Sequence, residues 1–240
     1  MIGIVAVSHS RPLAEAAVDL ALRMGGDEPP TVRIAAGGPD GDLGTDAAAI
    51  AEALDSADSG DGVLVLMDLG SALLSAEMAL EFAAAPDRVV LSPAPFVEGL
   101  VSAVVTAAGG AALADVAAEV AGAADAKRRQ LGGPADDAPA PAPVAAPAGV
   151  LSFETTVVNP SGLHARPAAT FVKTASRYDA DVQITEVGGE SPAVSARSLL
   201  ALMALGIRQG ARVRVTATGP DAREALDELQ GLIDGGFGEE

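Results

Sequence analysis

Residues 62–80 read GVLVLMDLGSALLSAEMAL, and the architecture of the first half of the chain turns on them. Gly62 to Met67 is an uninterrupted apolar run of Val, Leu and Met, which suits a strand covered on both faces, as in a parallel sheet, better than one with a wet side. From Ser71 to Ala84 the apolar residues recur at helical spacing, so strand passes into helix through Asp68-Leu69-Gly70. The same alternation extends in both directions. Further strands are expected over Ile2 to Val7, Thr31 to Ala35 and Arg88 to Leu91, with helices over Pro12 to Met24 and Thr45 to Ala57. Two more helices are expected around Gly99 to Ala108 and Ala112 to Arg129. Apolar strands separated by helices define an α/β fold with a doubly wound, mostly parallel sheet. No internal repeat is visible.

Working outward, residues 132–149 read GGPADDAPAPAPVAAPAG, a Pro/Ala-rich stretch that reads as an extended, semi-rigid linker. Eighteen such residues would span up to ~55 Å at ~3.1 Å per residue. This sets domains at 1–131 and 150–240. The second domain is expected to run strand Leu151 to Val158, helix Pro167 to Tyr178, strands Val182 to Val187 and Ala193 to Val194, helix Ser198 to Leu205, strand Arg212 to Ala217 and helix Pro220 to Ile233. That βαββαβα order implies an α+β domain with helices on one face of an antiparallel or mixed sheet.

Of the 240 residues, 49% are hydrophobic but only 2% aromatic, with no Trp, so base stacking on nucleic acid is disfavoured. The net charge of −18 also repels phosphate backbones and anionic lipid. The first domain carries 7 basic against 19 acidic residues, the linker none against 2, and the second domain 8 against 12, giving −12, −2 and −4. With no Cys, disulfides, thiolate metal sites and Cys nucleophiles are excluded, and two His residues make an imidazole metal site improbable. The apolar Met1 to Val7 has no basic n-region and reads as a strand rather than a signal segment. Outside the Pro-rich region, the longest uncharged stretch, Gly99 to Ala114, is sixteen residues, short of the ~20 that a membrane helix needs. A soluble cytoplasmic protein, with no nucleic-acid or membrane partner, is expected.

Chemistry concentrates at the two histidines. His9 follows the first strand in V-S-H-S, and Asp68 follows the third in M-D-L-G-S. Carboxyl ends of strands line the ligand crevice of open α/β sheets, so the two meet there if the strands are neighbours. The carboxylate would hold one imidazole N–H and leave the other nitrogen as a nucleophile. Gly70 and Ser71 open the next helix, whose N–H groups suit a phosphoryl group. The plainer alternative makes Asp68 a helix cap and His9 a surface residue. His164 lies in S-G-L-H-A-R-P, ahead of a helix with Pro167 in its first turn, where the macrodipole favours an anion on the imidazole and Arg166 can add charge-assisted hydrogen bonds. Its alternative is an ordinary helix start with solvent-facing His and Arg. Ser198 reads first as a helix N-cap, and Thr45 caps the helix that follows it. Leu199, Leu200 and Met203 suit a core stripe, the commoner fate, or a docking patch flanked by Arg166 and Arg197 that faces the acidic first domain. The loop Gly37 to Asp46 is Gly-rich but matches no P-loop or dinucleotide fingerprint.

The run Gly162-Leu163-His164-Ala165-Arg166-Pro167-Ala168-Ala169 resembles the active-site signature of HPr, the histidine phosphocarrier of the phosphoenolpyruvate:sugar phosphotransferase system, and Ser198 to Gly206 resembles its second helix. The resemblance covers about Leu151 to Ile233 and implies an HPr-like open-faced sandwich. Val7-Ser8-His9-Ser10 and Met67-Asp68-Leu69-Gly70-Ser71-Ala72 resemble the mannose-family IIA domain in the form found in the DhaM family, where it is fused to an HPr domain. The resemblance implies a phosphotransferase subunit of phosphoenolpyruvate-dependent dihydroxyacetone kinase with phosphohistidine intermediates. Phosphate would pass from phosphoenolpyruvate through enzyme I to His164, then to His9, then to ADP bound on DhaL, which acts with DhaK. Arg166 would be a phosphate ligand, Asp68 the partner that orients His9, and Ser198 a regulatory phosphosite in some bacteria. No cofactor in this chain is implied, while a homodimer through the first domain and a separate enzyme I are. Two other readings are a IIA–HPr fusion serving a sugar permease and a regulatory module whose phosphorylation state is read by another protein.

Overall fold

The computed structural model describes residues 1–130, 150–189 and 191–239. It divides into two units, Met1–Ala124 and Asp125–Glu240. The expected linker, 132–149, lies outside the described residues. The first unit contains strands β1 (Gly3–Ser8), β2 (Val32–Ala36), β3 (Val63–Met67) and β4 (Val89–Ser92), all parallel, in the order β2-β1-β3-β4. Helices α1 (Arg11–Gly25), α2 (Ala47–Ala57), α3 (Gly70–Leu80), α4 (Phe96–Ala108) and α5 (Leu113–Ala121) cover the sheet. Alternate residues of each strand point to opposite faces. Val5, Val7, Val63 and Val65 therefore form one core with Ile50, Leu54, Ala72 and Ala79 from α2 and α3. Leu66 faces the other way, toward α4, where Gly99 leaves room for it: a Cβ at Gly99 would lie 2.7 Å from Leu66 Cδ2. Both sheet faces are covered, as the apolar strands required.

Most element ends shift by one to three residues from the sequence reading, and three differences in the first unit have an evident physical cause. The helix expected to reach Ala84 stops at Leu80, because Phe82 and Ala83 close a turn onto Ala79 O and the Ala84 N–H donates to Asp55 Oδ1 instead of a helical carbonyl. The segment Ala112 to Arg129 is two helices, α5 and α6 (Ala123–Gln130), parted at Gly122, a residue that disfavours helix interiors. Thr45 does not cap α2. Asp46 does, its Oδ1 accepting from Ala48 N at 2.9 Å, while the Thr45 hydroxyl pairs with Ser75 Oγ at 2.7 Å.

The second unit is βαββαβα. It comprises β5 (Leu151–Thr156), α7 (Ala165–Ser176), β6 (Asp181–Glu186), β7 (Val194–Ser195), α8 (Leu199–Ala204), β8 (Arg212–Thr218) and α9 (Ala222–Asp234). The sheet order is β5-β8-β6-β7, wholly antiparallel. Along β5 and β8 the burial alternates with period two, the pattern of a sheet with one face on helices and one toward water. Among the described residues no helix is long and apolar enough to cross a membrane.

Candidate functional site

In the order β2-β1-β3-β4 the direction in which successive strands are added reverses between β1 and β3, so the carboxyl ends of those two parallel strands flank the crevice where open α/β sheets bind ligands. The register pairs Val7 with Met67, and the Asp68 N–H donates to Val7 O at 3.2 Å. One residue further on, His9 and Asp68 are brought side by side.

Asp68 receives four hydrogen bonds. Its Oδ1 accepts from His9 Nδ1 at 3.0 Å and from the Leu69 N–H at 2.7 Å. Oδ2 accepts from the His9 N–H and from Ser8 Oγ, each at 2.9 Å. The Asp68 side chain is 8% exposed and that of His9 24%, so the carboxylate is sheltered while the ring reaches solvent. Burial works to raise the Asp68 carboxyl, but hydrogen bonds from the His9 ring, the His9 N–H and Ser8 outweigh it and hold the group below its ordinary value. An ionised Asp68 accepts only, so Nδ1 carries the proton, and in the neutral ring the lone pair is on Nε2. Ser71 Oγ lies 3.0 Å from that Nε2, which makes the hydroxyl the donor. Asp68 is not the cap of α3: the N-cap is Leu69, with no side-chain cap bond. Gly70 is the first residue of α3 and meets no steric demand, since a Cβ there would touch nothing within 4 Å. Nε2 thus lies beside the amino terminus of an eleven-residue helix, where backbone N–H groups favour an anion.

Ser8 was not singled out by the sequence reading. It is fully buried at the end of an otherwise apolar strand, and that break in the pattern was the available signal. Its hydroxyl bridges Asp68 Oδ2 and the Ser10 N–H, which fixes the turn carrying His9.

The second histidine is placed differently. His164 is the N-cap of α7 with an extended backbone, its carbonyl accepting from Ala168 N at 2.8 Å and its side chain exposed. Pro167 at the third helical position has no N–H to leave unpaired, and the N–H groups of Ala165 and Arg166 share the same helix end. Gly162 is required two residues earlier: its φ is 64°, and a Cβ would lie 2.3 Å from Ile207 O. Asn159, also absent from the sequence reading, closes this loop by donating from Nδ2 to Gly162 O at 2.8 Å.

Ser198 is the N-cap of α8, accepting from Ala201 N at 3.0 Å. The docking patch does not survive as read. Leu199 is fully buried and Leu200 is 7% exposed, leaving Met203 as its partly exposed member. A six-residue helix needs a buried face to persist, and each fully buried leucine contributes roughly 1.5–3 kcal/mol. The flanking Arg197 donates to the carbonyls of Tyr178 and Ala180 at 2.7 and 3.2 Å.

Comparison with known proteins matches residues 3–117 to the PTS system fructose IIA component and residues 151–234 to the PTS HPr component phosphorylation site. The phosphoryl donor subunit DhaM of the PEP-dependent dihydroxyacetone kinase of Escherichia coli K12 is 39% identical over 245 residues, covering 100% of this chain and 51% of that protein. The whole chain is similar to DhaM. The Klebsiella michiganensis DhaM is likewise 39% identical over 246 residues, with 100% and 51% covered. The chain spans about half the length of these curated relatives. The crystal structure of HPr-C-His from Thermoanaerobacter tengcongensis is 39% identical, with a TM-score of 0.35, covering 38% of this chain and 98% of that one.

Proposed function

We propose that the chain is a phosphoryl relay. Phosphate from phosphoenolpyruvate, delivered by enzyme I, is taken up by His164, passed to His9 and discharged to ADP on DhaL for phosphorylation of dihydroxyacetone with DhaK. The observation that carries the reading is the His9 ring, held through Nδ1 by an ionised Asp68 with Nε2 presented at the start of α3. Each transfer is a displacement at phosphorus: the donor N–P bond breaks as the acceptor nitrogen forms its own, so lone-pair availability on Nε2 is the chemical requirement. Asp68 then stabilises the positive charge that the ring acquires, while Ser71, Gly70 and the α3 N–H groups receive the phosphoryl oxygens. At the other site, Arg166 and the α7 amino terminus take the same role. The chain itself holds no cofactor in this scheme, and the relay operates in the cytoplasm.

Incubation with phosphoenolpyruvate, enzyme I and radiolabel is expected to give acid-labile, base-stable phosphate on both histidines, and a label-free first unit would overturn the relay. Dihydroxyacetone phosphate formation in a mixture containing DhaK, DhaL and ADP, with and without this chain, tests the final acceptor. Discharge to a permease component instead would make it a sugar-transport fusion, and a stable phosphorylated end state would make it a regulatory module. We further propose a homodimer through the first domain. Mixing His9→Ala and His164→Ala chains then restores phosphate flow, and failure under exchange conditions confines transfer to one chain.

A further inference from the structure

Every residue of β1 is buried, and Ser8 is the one that carries a polar side chain. A buried hydroxyl is costly unless it is paired, and this one sits among three polar groups. Its oxygen accepts from the Ser10 N–H at 3.1 Å, while Asp68 Oδ2 at 2.9 Å and Ser10 O at 3.0 Å both lie within reach of its single hydrogen. One hydrogen cannot serve both acceptors fully, so they compete. An ionised carboxylate attracts it more strongly than a carbonyl, and Ser10 O already accepts from the Ala14 N–H at 3.1 Å in the first turn of α1. The hydroxyl therefore donates to Asp68. The backbone beneath it is fixed, because β1 is an inner strand, with the Gly37 N–H on Ser8 O at 3.1 Å and the Asp68 N–H on Val7 O at 3.2 Å. Of the four donors to Asp68, the His9 and Leu69 N–H groups belong to the backbone. The His9 ring and the Ser8 hydroxyl are the side-chain donors, one on each carboxylate oxygen. They share one negative charge, and each bond accepted at Oδ2 makes the carboxylate less basic and weakens its pull on the Nδ1 proton.

We propose that Ser8 is a positioning residue that sets how tightly His9 holds its phosphoryl group: by donating to Asp68 Oδ2 it moderates the carboxylate's pull on Nδ1 and keeps the phosphorylated ring able to give its phosphate up. Its role rests on the relay reading above. When phosphate arrives, the N–P bond at His164 breaks with its electron pair returning to that ring, Nε2 of His9 forms the new N–P bond, and the Nδ1 proton stays in place. The His9 ring thereby becomes positively charged, and Asp68 stabilises it more strongly than it does the neutral ring. A more basic carboxylate would trap phosphate on His9. The Ser8 hydroxyl opposes that trap from the far oxygen, touching neither the ring nor the phosphate.

The test compares the full chain with Ser8→Ala, which removes the hydroxyl, and Ser8→Cys, which keeps a side chain of similar shape with a weaker donor. Each is charged with enzyme I and limiting phosphoenolpyruvate in the absence of DhaL, brought to equilibrium and quenched in base. Phosphate at His9 and at His164 is then quantified by mass spectrometry of the peptides. The ratio of phospho-His9 to phospho-His164 is expected to rise by about 2- to 10-fold in Ser8→Ala, the weight of one ordinary hydrogen bond, and to rise in Ser8→Cys as well. A Ser8 that only shaped the turn would change the rates in both directions and leave the equilibrium ratio where it was. An unmoved or falling ratio in a folded variant overturns the proposal, and Ser8→Cys decides alone if Ser8→Ala does not fold. Carbon-13 NMR of the Asp68 carboxyl gives a second readout: its titration should move to higher pH in both variants, and a titration identical to the parent's would show that the hydroxyl does not act on Asp68. A parent chain that labels neither histidine strikes the relay reading itself. A parent chain labelled at both, with a ratio that the variants do not move, strikes the role of Ser8 and leaves the relay standing.

Discussion

Asp68→Asn tests the His9 site with the smallest change of shape. The carboxylate faces donors on both oxygens: His9 Nδ1 and the Leu69 N–H on one, the His9 N–H and Ser8 Oγ on the other. An amide offers an acceptor to only one of these sides. If its NH₂ meets the His9 N–H and Ser8, the tautomer survives and Ser8 can turn to accept, while the His9 N–H loses its acceptor and the Nδ1 bond its charge. A charge-assisted bond contributes about 1.5–3 kcal/mol, which is roughly 10- to 10²-fold in rate. If the NH₂ meets Nδ1, that nitrogen must accept, the proton moves to Nε2 and the attacking lone pair is gone, a change that in an orienting carboxylate elsewhere costs ~10⁴-fold. The expected result lies between these limits, in rapid-quench measurements of transfer from phosphorylated His164 to His9. Labelling of His164 and the circular dichroism spectrum should be unchanged. Transfer kinetics identical to those of the parent chain would refute the assignment of Asp68 as the orienting group.

The same carboxylate gives the first unit an acid limb. Its pKa in the folded chain lies below 3.8, so its stabilising contribution is present above that value and is lost as pH falls through the folded value. Thermal melts against pH should show this limb flattened in Asp68→Asn, and an unaltered limb would mean that the hydrogen bonds do not distinguish folded from unfolded chain. His164→Ala should abolish labelling of both units by enzyme I, whereas His9→Ala should block only onward transfer; efficient labelling of His9 in the His164→Ala chain would reverse the proposed order. Ser198→Ala removes the cap of α8 and should destabilise the second unit by about 1 kcal/mol in urea unfolding. No loss would show that the bond to Ala201 N contributes nothing net.

The alternation of apolar strands and helices was legible in the first half of the chain because a buried parallel strand leaves no polar residue in its run, and Gly62 to Met67 admits few other readings. The histidines were legible through their neighbours in sequence, since Asp68-Leu69-Gly70-Ser71 and His164-Ala165-Arg166-Pro167 each combine a strand end, a helix start and a group suited to phosphate. Tertiary structure decided what depends on contacts distant in sequence. Strand order and register set His9 beside Asp68, chose Nδ1 as the held nitrogen and Nε2 as the presented one, and recruited Ser8. Helical spacing could not separate a docking patch from a core stripe, because both need apolar residues on one face, and burial assigned Leu199 and Leu200 to the core. The return of the chain after α9 onto Asn159 and Ser161 had no local signal either, since it rests on hydrogen bonds between segments far apart in sequence.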